Sequence, residues 1–302
     1  MRKIIVIGEA VLDTVFSGGR PVKAMVGGRI ANAAVALGDA GLPCCMVSEC
    51  CADRVGDLVV DYLTTHRVDV RSIDRFTDGA TALAAIFDDG NGNRQIVNYG
   101  RYPKERFDVV WPRIDEDDVL LFGSLYAVDL PQRERLFELV RYAAERKAIL
   151  VYLPGFQHGI QYRITKVMPA ILENLEMAHV VIAHDSDMAK IFPGESMEEA
   201  FHNHVEYYGG NYLHIGNDLS VTRLSRGQRN DLPATGCTAN LLGWQAGFTA
   251  GVIECLLSED ITHKTLPNLE VATWNSILRH AVDAAQRVAS IDNALTSTST
   301  AL

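Results

Sequence analysis

Short apolar runs alternate with amphipathic segments along most of the chain, and this alternation is what most constrains the fold. The runs that we predict as strands are Ile4–Ile7, Cys45–Ser48, Val119–Phe122, Ile149–Leu153, Val180–Ala183 and Tyr212–Ile215. The predicted helices between them are Ile30–Asp39, Gly56–Thr65, Gln132–Arg146, Lys166–Asn174 and Ser196–Tyr208. Strands that alternate with helices form parallel sheets with right-handed crossovers. The sequence therefore predicts an α/β three-layer sandwich, followed by an almost entirely helical segment from about 241 to 294.

Residues 81–100 interrupt this rhythm. Two β-prone runs, 81–87 and 94–99, flank the turn-forming sequence D-D-G-N-G-N, which is typical of a β-hairpin. Residues 13–26 can add short strands to it. We therefore expect one domain over residues 1–302, with a small β-lid formed by about 13–26 and 81–100.

Composition excludes several classes of protein. The chain has 28 Lys and Arg against 38 Asp and Glu, a net charge of −10, and this argues against nucleic-acid binding, which needs a basic surface. No run approaches the ~20 apolar residues that span a bilayer, so we expect a cytoplasmic protein with no membrane partner. The six cysteines lack any C-x-x-C spacing, so we interpret them as reduced, buried thiols and expect no metal site.

Two glycine motifs follow the first predicted strand. The first, Gly8-Glu9-Ala10, lacks the G-x-G-x-x-G pattern of dinucleotide binding. The second, Gly27-Gly28, opens an alanine-rich helix with Asn32 about one turn inside, and Asp13 lies just beyond the first strand. The glycines let a ligand approach the backbone closely, and the amide of Asn32 and the carboxylate of Asp13 can form hydrogen bonds with sugar hydroxyls. A simple turn before a packing helix is the alternative that these residues alone leave open.

Longer motifs carry a family resemblance. The stretch I-G-E-A-V-L-D with Glu9 and Asp13, the stretch G-G-R-I-A-N-A-A-V-A-L-G-D-A-G-L, and Asp53-R-V-Gly56 resemble the N-terminal half of the ribokinase (PfkB) family of carbohydrate kinases. Cys51 replaces the first glycine of that family's G-x-D-x-x-G motif. The resemblance implies a ribokinase-like fold and phosphorylation of a carbohydrate hydroxyl with ATP and Mg²⁺. It also implies fructose or a keto-sugar acid among the substrates, and a homodimer formed through the lid.

The resemblance also implies which residues bind substrate. They match positions that contact the sugar in the family: Asp13, Gly27, Gly28 and Asn32. Tyr99 and Arg101, just after the second lid strand, match positions where related kinases of fructose and sugar acids place substrate-contacting side chains. An arginine can bind a carboxylate or phosphate through two hydrogen bonds. A solvated charge on the lid is the alternative for Arg101.

The C-terminal half departs from the family pattern. The family signature D-T-x-G-A-G-D-x-F-x-A-G forms an anion hole at a helix start, and its last Asp is the general base. In the preferred register, residues 240–251, the matching positions are Gly243, Phe248, Ala250 and Gly251. Trp244 and Gln245 replace the middle A-G, and Ala246 replaces the catalytic Asp. A second register through 235–238 also lacks this Asp, so the catalytic residue is unknown; Asp231 is the nearest substitute.

Two nucleotide-side motifs are altered as well. The family's N-x-x-E, linked to Mg²⁺ and phosphate, corresponds to His184 through Asp187, and its T-x-G-x-x-G keeps only Gly216. By resemblance, Asp187, Gly216 and Gly243 are the nucleotide-side residues. Loss of a general base alone typically costs roughly 10²–10⁴-fold in rate. The sequence thus predicts a sugar kinase homologue of impaired activity; the alternative is a non-catalytic, sugar-binding pseudokinase with a regulatory or assembly role.

Overall fold

The structure, a computed structural model, describes residues 2–88, 94–103, 106–156, 163–208, 210–236 and 240–290. Its strands are β1 (Ile4–Ile7), β2 (Val11–Ser17), β3 (Arg20–Gly27), β4 (Cys44–Cys51), β5 (Asp69–Phe76), β6 (Ala80–Asp88), β7 (Arg94–Arg101), β8 (Val119–Gly123), β9 (Ile149–Leu153), β10 (Val180–His184), β11 (Asn211–Ile215), β12 (Val221–Ser225) and β13 (Gln228–Leu232). Its helices are α1 (Arg29–Asp39), α2 (Arg54–Thr65), α3 (Arg133–Glu145), α4 (Ile164–Met177), α5 (Asp185–Ile191), α6 (Met197–His204), α7 (Leu241–Ser258) and α8 (Val271–Ala289).

A nine-stranded sheet forms the centre of the fold, in the order β13-β12-β11-β10-β9-β8-β1-β4-β5. Seven neighbouring strands pair in parallel, namely β11, β10, β9, β8, β1, β4 and β5. Strand β12 pairs antiparallel with both β11 and β13. Side chains alternate between the two faces, so Ile4 and Val6 join one core while Ile5 and Ile7 join the other. Helices α1, α2, α7 and α8 cover the first face, and α3 to α6 cover the second. This arrangement confirms the predicted three-layer α/β architecture.

Some elements escaped prediction. The central sheet gains β5 at one edge and β12 and β13 at the other. These edge strands carry charged side chains, which is how exposed edges avoid pairing with other chains, and the charges mask the apolar pattern. Helix α5 follows β10 without a linking residue, so no turn marks its start. The helix predicted at 196–208 ends at His204 and is followed by a 3₁₀ turn at Glu206–Tyr208.

A second sheet of four strands, in the order β3-β2-β6-β7, stands at the edge of this body. The predicted hairpin forms as the antiparallel pair β6–β7, with Ala80 opposite Arg101; residues 89–93 of its turn lie outside the described residues. Leu12, Val26 and Ala85 of this small sheet are buried, and α2 packs against β2 and β6. The small sheet is therefore fixed to the body at its base.

Helix α7 is unusually apolar. Among the described helices it is the one whose length and composition would allow it to cross a membrane, and 72% of it is buried inside the fold. Both of its faces pack, against α1 and α8, so its position in the core accounts for its composition.

Candidate active site

A cavity of about 490 Å³ opens beside the small sheet, where β1, β8 and β9 end. In parallel α/β sheets, ligands bind at the carboxyl ends of the strands, and this volume lies within the roughly 300–1,000 Å³ range of small-molecule sites. One wall comes from β6 and β7 and is largely apolar, with Ala84, Ile86 and Ile96. The opposite wall carries the polar groups described below.

The corner between β1 and α1 holds two carboxyl groups against the Gly27-Gly28 turn. A Cβ atom on Gly27 would lie 2.0 Å from Oδ2 of Asp13, and one on Gly28 would lie 2.3 Å from the backbone oxygen of Glu9. Gly28 also has a φ of 105°, a conformation that L side chains rarely adopt. Both glycines are therefore required for the close approach that places Asp13 and Glu9 at the cavity.

These two carboxyl groups differ in their partners. The carboxylate of Glu9 accepts hydrogen bonds from the Ser124 hydroxyl and, at 3.2 Å, from the backbone N–H of Arg29. Asp13 receives no hydrogen bond from any described residue. Burial, and then the nearby charge of Glu9, raise the pKa of Asp13 to about 7. Burial likewise raises the pKa of Glu9.

Four of the six predicted substrate residues line the cavity: Asp13, Gly28, Asn32 and Tyr99. Gly27 lies behind Asp13 and positions its carboxyl group.

Arg101, the sixth predicted substrate residue, does not line the cavity. It is the last residue of β7 and its side chain is 77% exposed, 3.8 Å from the exposed Asp78. Two other arginines, Arg29 and Arg106, line the cavity.

Arg106 is held by a buried network that sequence reasoning missed. Its guanidinium lies 2.8 Å from Glu49 and 2.9 Å from Asp129. Glu49 also accepts hydrogen bonds from the Tyr126 hydroxyl at 2.8 Å and the Phe107 backbone N–H at 2.7 Å. Burial, then the charge of Glu49, raise the pKa of Tyr126 well above its usual range. The only sequence signal was a lone acid, Glu49, inside the apolar strand β4.

A second arginine closes the end of the cavity nearest α7. Arg29 lines the cavity, and its two terminal nitrogens donate at 2.6 Å each to Asp187 of α5 and Gln245 of α7. Asp187 is fully buried and also accepts the backbone N–H groups of Phe156 and His184. The carboxylate of Asp187, which was predicted to lie on the nucleotide side, is therefore already paired with Arg29 of the same chain.

The start of α7 carries no acidic group. Asn240 caps this helix by accepting the N–H of Gly243 at 2.9 Å, so one N–H of the predicted anion hole is already bonded within the chain. Leu242 is the residue of α7 that lines the cavity. Trp244 does not block this end, because it is buried and stacks on Phe248 at 5.4 Å.

Ala246 lies one turn further along the helix and is only 4% exposed, within the core. Of these two positions, Leu242 lines the cavity and Ala246 does not. Both positions lack a proton acceptor.

The remaining predicted positions lie away from the cavity lining. Gly216 follows β11, near a pair in which Nε2 of His214 lies 2.6 Å from Asp185. Asp185 also accepts the N–H of Asn217 at 2.9 Å. Asp231 is an exposed residue of β13 paired with Arg229 at 2.7 Å, so it does not supply the missing base.

One group of side chains in the described part of the chain has the ligand types of a metal site: Glu116, Asp117 and His263. Their ligand atoms lie within 4.8 Å of one another. His263 bonds Asp117 at 2.7 Å, and Lys264 lies 3.5 Å from Glu116. Ion pairing explains this surface cluster, which precedes β8 at the end of the sheet opposite the cavity.

Comparison with known proteins identifies the family. The sequence profile described as pfkB family carbohydrate kinase matches residues 1–206. The chain belongs to the pfkB family of carbohydrate kinases. The match ends before α7, the helix in which the signature is altered. No curated protein matches the chain.

Solved structures share the fold at low sequence identity. A fructokinase double mutant from Vibrio cholerae O395, bound to fructose, ADP and a potassium ion, superposes with a TM-score of 0.82 at 15% identity, covering 98% of this chain and 94% of the other. ATP-bound fructokinase from Xylella fastidiosa gives 0.73 at 18%, covering 97% and 95%. Aminoimidazole riboside kinase from Salmonella enterica, bound to aminoimidazole riboside and an ATP analogue, gives 0.74 at 17%, covering 98% and 96%.

Proposed function

We propose that this member of the pfkB family binds a polyhydroxylated small molecule, a sugar or sugar derivative, and that its transfer of a phosphoryl group from ATP is impaired or absent. One observation carries the proposal. The chain has no Asp or Glu from residue 232 to 253, and the residue that α7 presents to the cavity is Leu242. A general base must accept the proton of the attacking hydroxyl, and a leucine side chain has no atom that does so.

The nucleotide side supports the same conclusion. Magnesium binds oxygen ligands and retains several waters, whereas Asp187 is fully buried and bonded to Arg29 and to two backbone N–H groups. These residues do not fit a magnesium ion. The similar fructokinase and riboside kinase structures contain ATP, ADP or an ATP analogue, and binding of these nucleotides to this chain can be measured independently of turnover.

The sugar side supports retained ligand binding. Asp13, Gly28 and Asn32 line a cavity of small-molecule size. The carboxyl group of Asp13 has no partner among the described residues, and a ligand hydroxyl would supply the hydrogen bond that a buried polar group needs.

A second candidate is a working kinase in which Asp13 itself is the base. The observation in its favour is the pKa of about 7 that burial and Glu9 give Asp13. General bases are most effective when their pKa lies near the working pH.

Two assays on the natural protein separate these candidates. The first measures ADP release from MgATP with hexoses, pentoses, nucleosides and keto-sugar acids; the second measures binding of the same compounds by thermal shift. We expect binding without sugar-dependent ADP release. Turnover that Asp13→Asn abolishes while thermal shift shows the sugar still bound would establish the second candidate, and full turnover that persists in that variant would refute both.

A further inference from the structure

Among the charged side chains that line the cavity, acidic groups outnumber basic ones. The carboxyl groups are Glu9, Asp13, Glu49 and Asp129, and the cations are Arg29 and Arg106; the described lining contains no lysine. Both cations are already committed. Arg106 bonds Glu49 and Asp129, and Arg29 bonds Asp187 behind the wall. Among the described residues, the lining therefore carries four carboxyl groups and two guanidinium groups.

The excess negative charge lies at the corner between β1 and α1. Asp13 and Glu9 press against the same Gly27-Gly28 turn: a Cβ on Gly27 would lie 2.0 Å from the Asp13 carboxyl, and one on Gly28 would lie 3.2 Å from Cγ of Glu9. Neither carboxyl group is paired with a cationic side chain among the described residues. The Glu9 carboxylate receives only a hydroxyl and a backbone N–H. Among the described residues, this corner has no cationic side chain within ion-pairing distance of either carboxyl group.

We propose that the ligand of this cavity carries an ammonium group beside its hydroxyl groups, as an amino sugar does, and that the ammonium binds at Asp13 and Glu9. The proposal rests on the sugar-binding function proposed above and narrows its ligand class. Tyrosine rings at positions 99, 102 and 126 line the same cavity, and aromatic faces attract ammonium groups. An acidic sugar is disfavoured, because Arg29 and Arg106 would have to leave carboxylate partners to bind it.

The ionisation of Asp13 follows from this arrangement. The charged group that acts on its carboxyl group is Glu9, from the loop after β1. Arg29 of α1 and the network of Glu49, Arg106 and Asp129 line the same cavity. Burial and the charge of Glu9 raise the pKa of Asp13 to about 7. An ammonium favours the ionised form, so its binding releases protons and tightens as pH rises from 6 to 7.5.

The experiment is isothermal titration calorimetry on the full chain with three matched pairs: glucosamine and glucose, galactosamine and galactose, mannosamine and mannose, with gluconate as the acidic probe. We expect the amino sugar of at least one pair to bind about 10-fold or more tightly than its parent, since hydrogen bonds to charged groups are stronger than neutral ones. Titration in two buffers of different ionisation enthalpy is expected to show proton release.

Asp13→Asn should abolish the preference for the amine, and Asp61→Asn, at an exposed position of α2, should preserve it. The proton-release measurement needs only the natural protein, so the test stands even when a variant fails to fold. Equal binding within every pair, tighter binding of gluconate, or no binding of any amine would overturn the proposal. Neutral sugars that bind at least as tightly as their amines, without turnover, would overturn this inference alone, whereas an amino sugar that is phosphorylated would overturn only the loss of activity.

Discussion

Two substitutions of the same kind, one helical turn apart, test where α7 meets the cavity. Leu242→Asp and Ala246→Asp each introduce a carboxylate at positions i and i+4, which share one face of a helix. Leu242 is a partly exposed residue of the cavity wall in the first turn, whereas Ala246 is 4% exposed in the core. The two variants should therefore differ widely in stability.

The magnitudes follow from these environments. At position 246 an unpaired buried charge costs about 3–5 kcal/mol, and the added volume in a packed core costs about another 1–3 kcal/mol. At position 242 the loss of apolar burial costs about 1–2 kcal/mol, and a carboxylate in the first turn regains about 0.3–1 kcal/mol from the helix dipole. We expect Ala246→Asp to be less stable than Leu242→Asp by about 2–8 kcal/mol.

Urea unfolding at pH 7, followed by circular dichroism, measures this difference. Leu242→Asn and Ala246→Asn are the matched controls, because they change size and polarity without adding a charge. Compared with its Asn control, the Asp variant should be less stable at position 246 and equally or more stable at position 242. Equal stability of the two Asp variants, or a less stable Leu242→Asp, would refute the placement of Ala246 in the core and return it to the cavity.

Three further predictions concern the cavity wall. Arg29→Met should lower the free energy of unfolding by about 3–5 kcal/mol because it leaves the buried carboxylate of Asp187 unpaired. In urea titrations, the double variant Arg29→Met/Asp187→Asn should recover part of that loss. If the effects of the two substitutions simply add, the coupling between these residues is contradicted. Because the pKa of Asp13 is raised from the usual 3.8 to about 7, the folded state holds this proton more tightly, and this group lowers stability as pH rises from about 4 to 7. Asp13→Asn should therefore gain stability relative to the natural protein between pH 5 and pH 8, and a constant difference in urea midpoint would refute the raised pKa. Gly28→Ala should cost more stability than Gly41→Ala, since both glycines have positive φ but only the Cβ at 28 meets backbone, at 2.3 Å; equal shifts in melting temperature would argue against the close approach to Glu9.

Most of the fold could be predicted from the sequence because parallel strands buried on both faces read as unbroken apolar runs. The β6–β7 hairpin could also be predicted, since turn residues separate two β-prone runs. What escaped were elements whose signal is local and polar: the charged edge strand β5, and α5, which begins directly at the end of a strand.

The site was predictable where its residues are close in sequence. Asp13, Gly28 and Asn32 belong to one short stretch, and the fold brings them to one corner. Arg29 and Asp187 are 158 residues apart, and Arg106 and Glu49 are 57 apart, so only the folded chain shows these pairs. Arg101 lies outside the cavity lining and Arg106 within it, and the sequence does not say which residue after the hairpin turns back toward the cavity. The homodimer and the cytoplasmic location stay predictions.

Sugar-dependent ADP release by the natural protein tests the central claim most directly. The account predicts that MgATP hydrolysis is the same with and without each sugar of the panel, amino sugars included, at protein concentrations where calorimetry shows the sugar bound. A sugar that binds and raises ADP release well above that background would contradict the account and show that a carboxylate outside α7 accepts the proton.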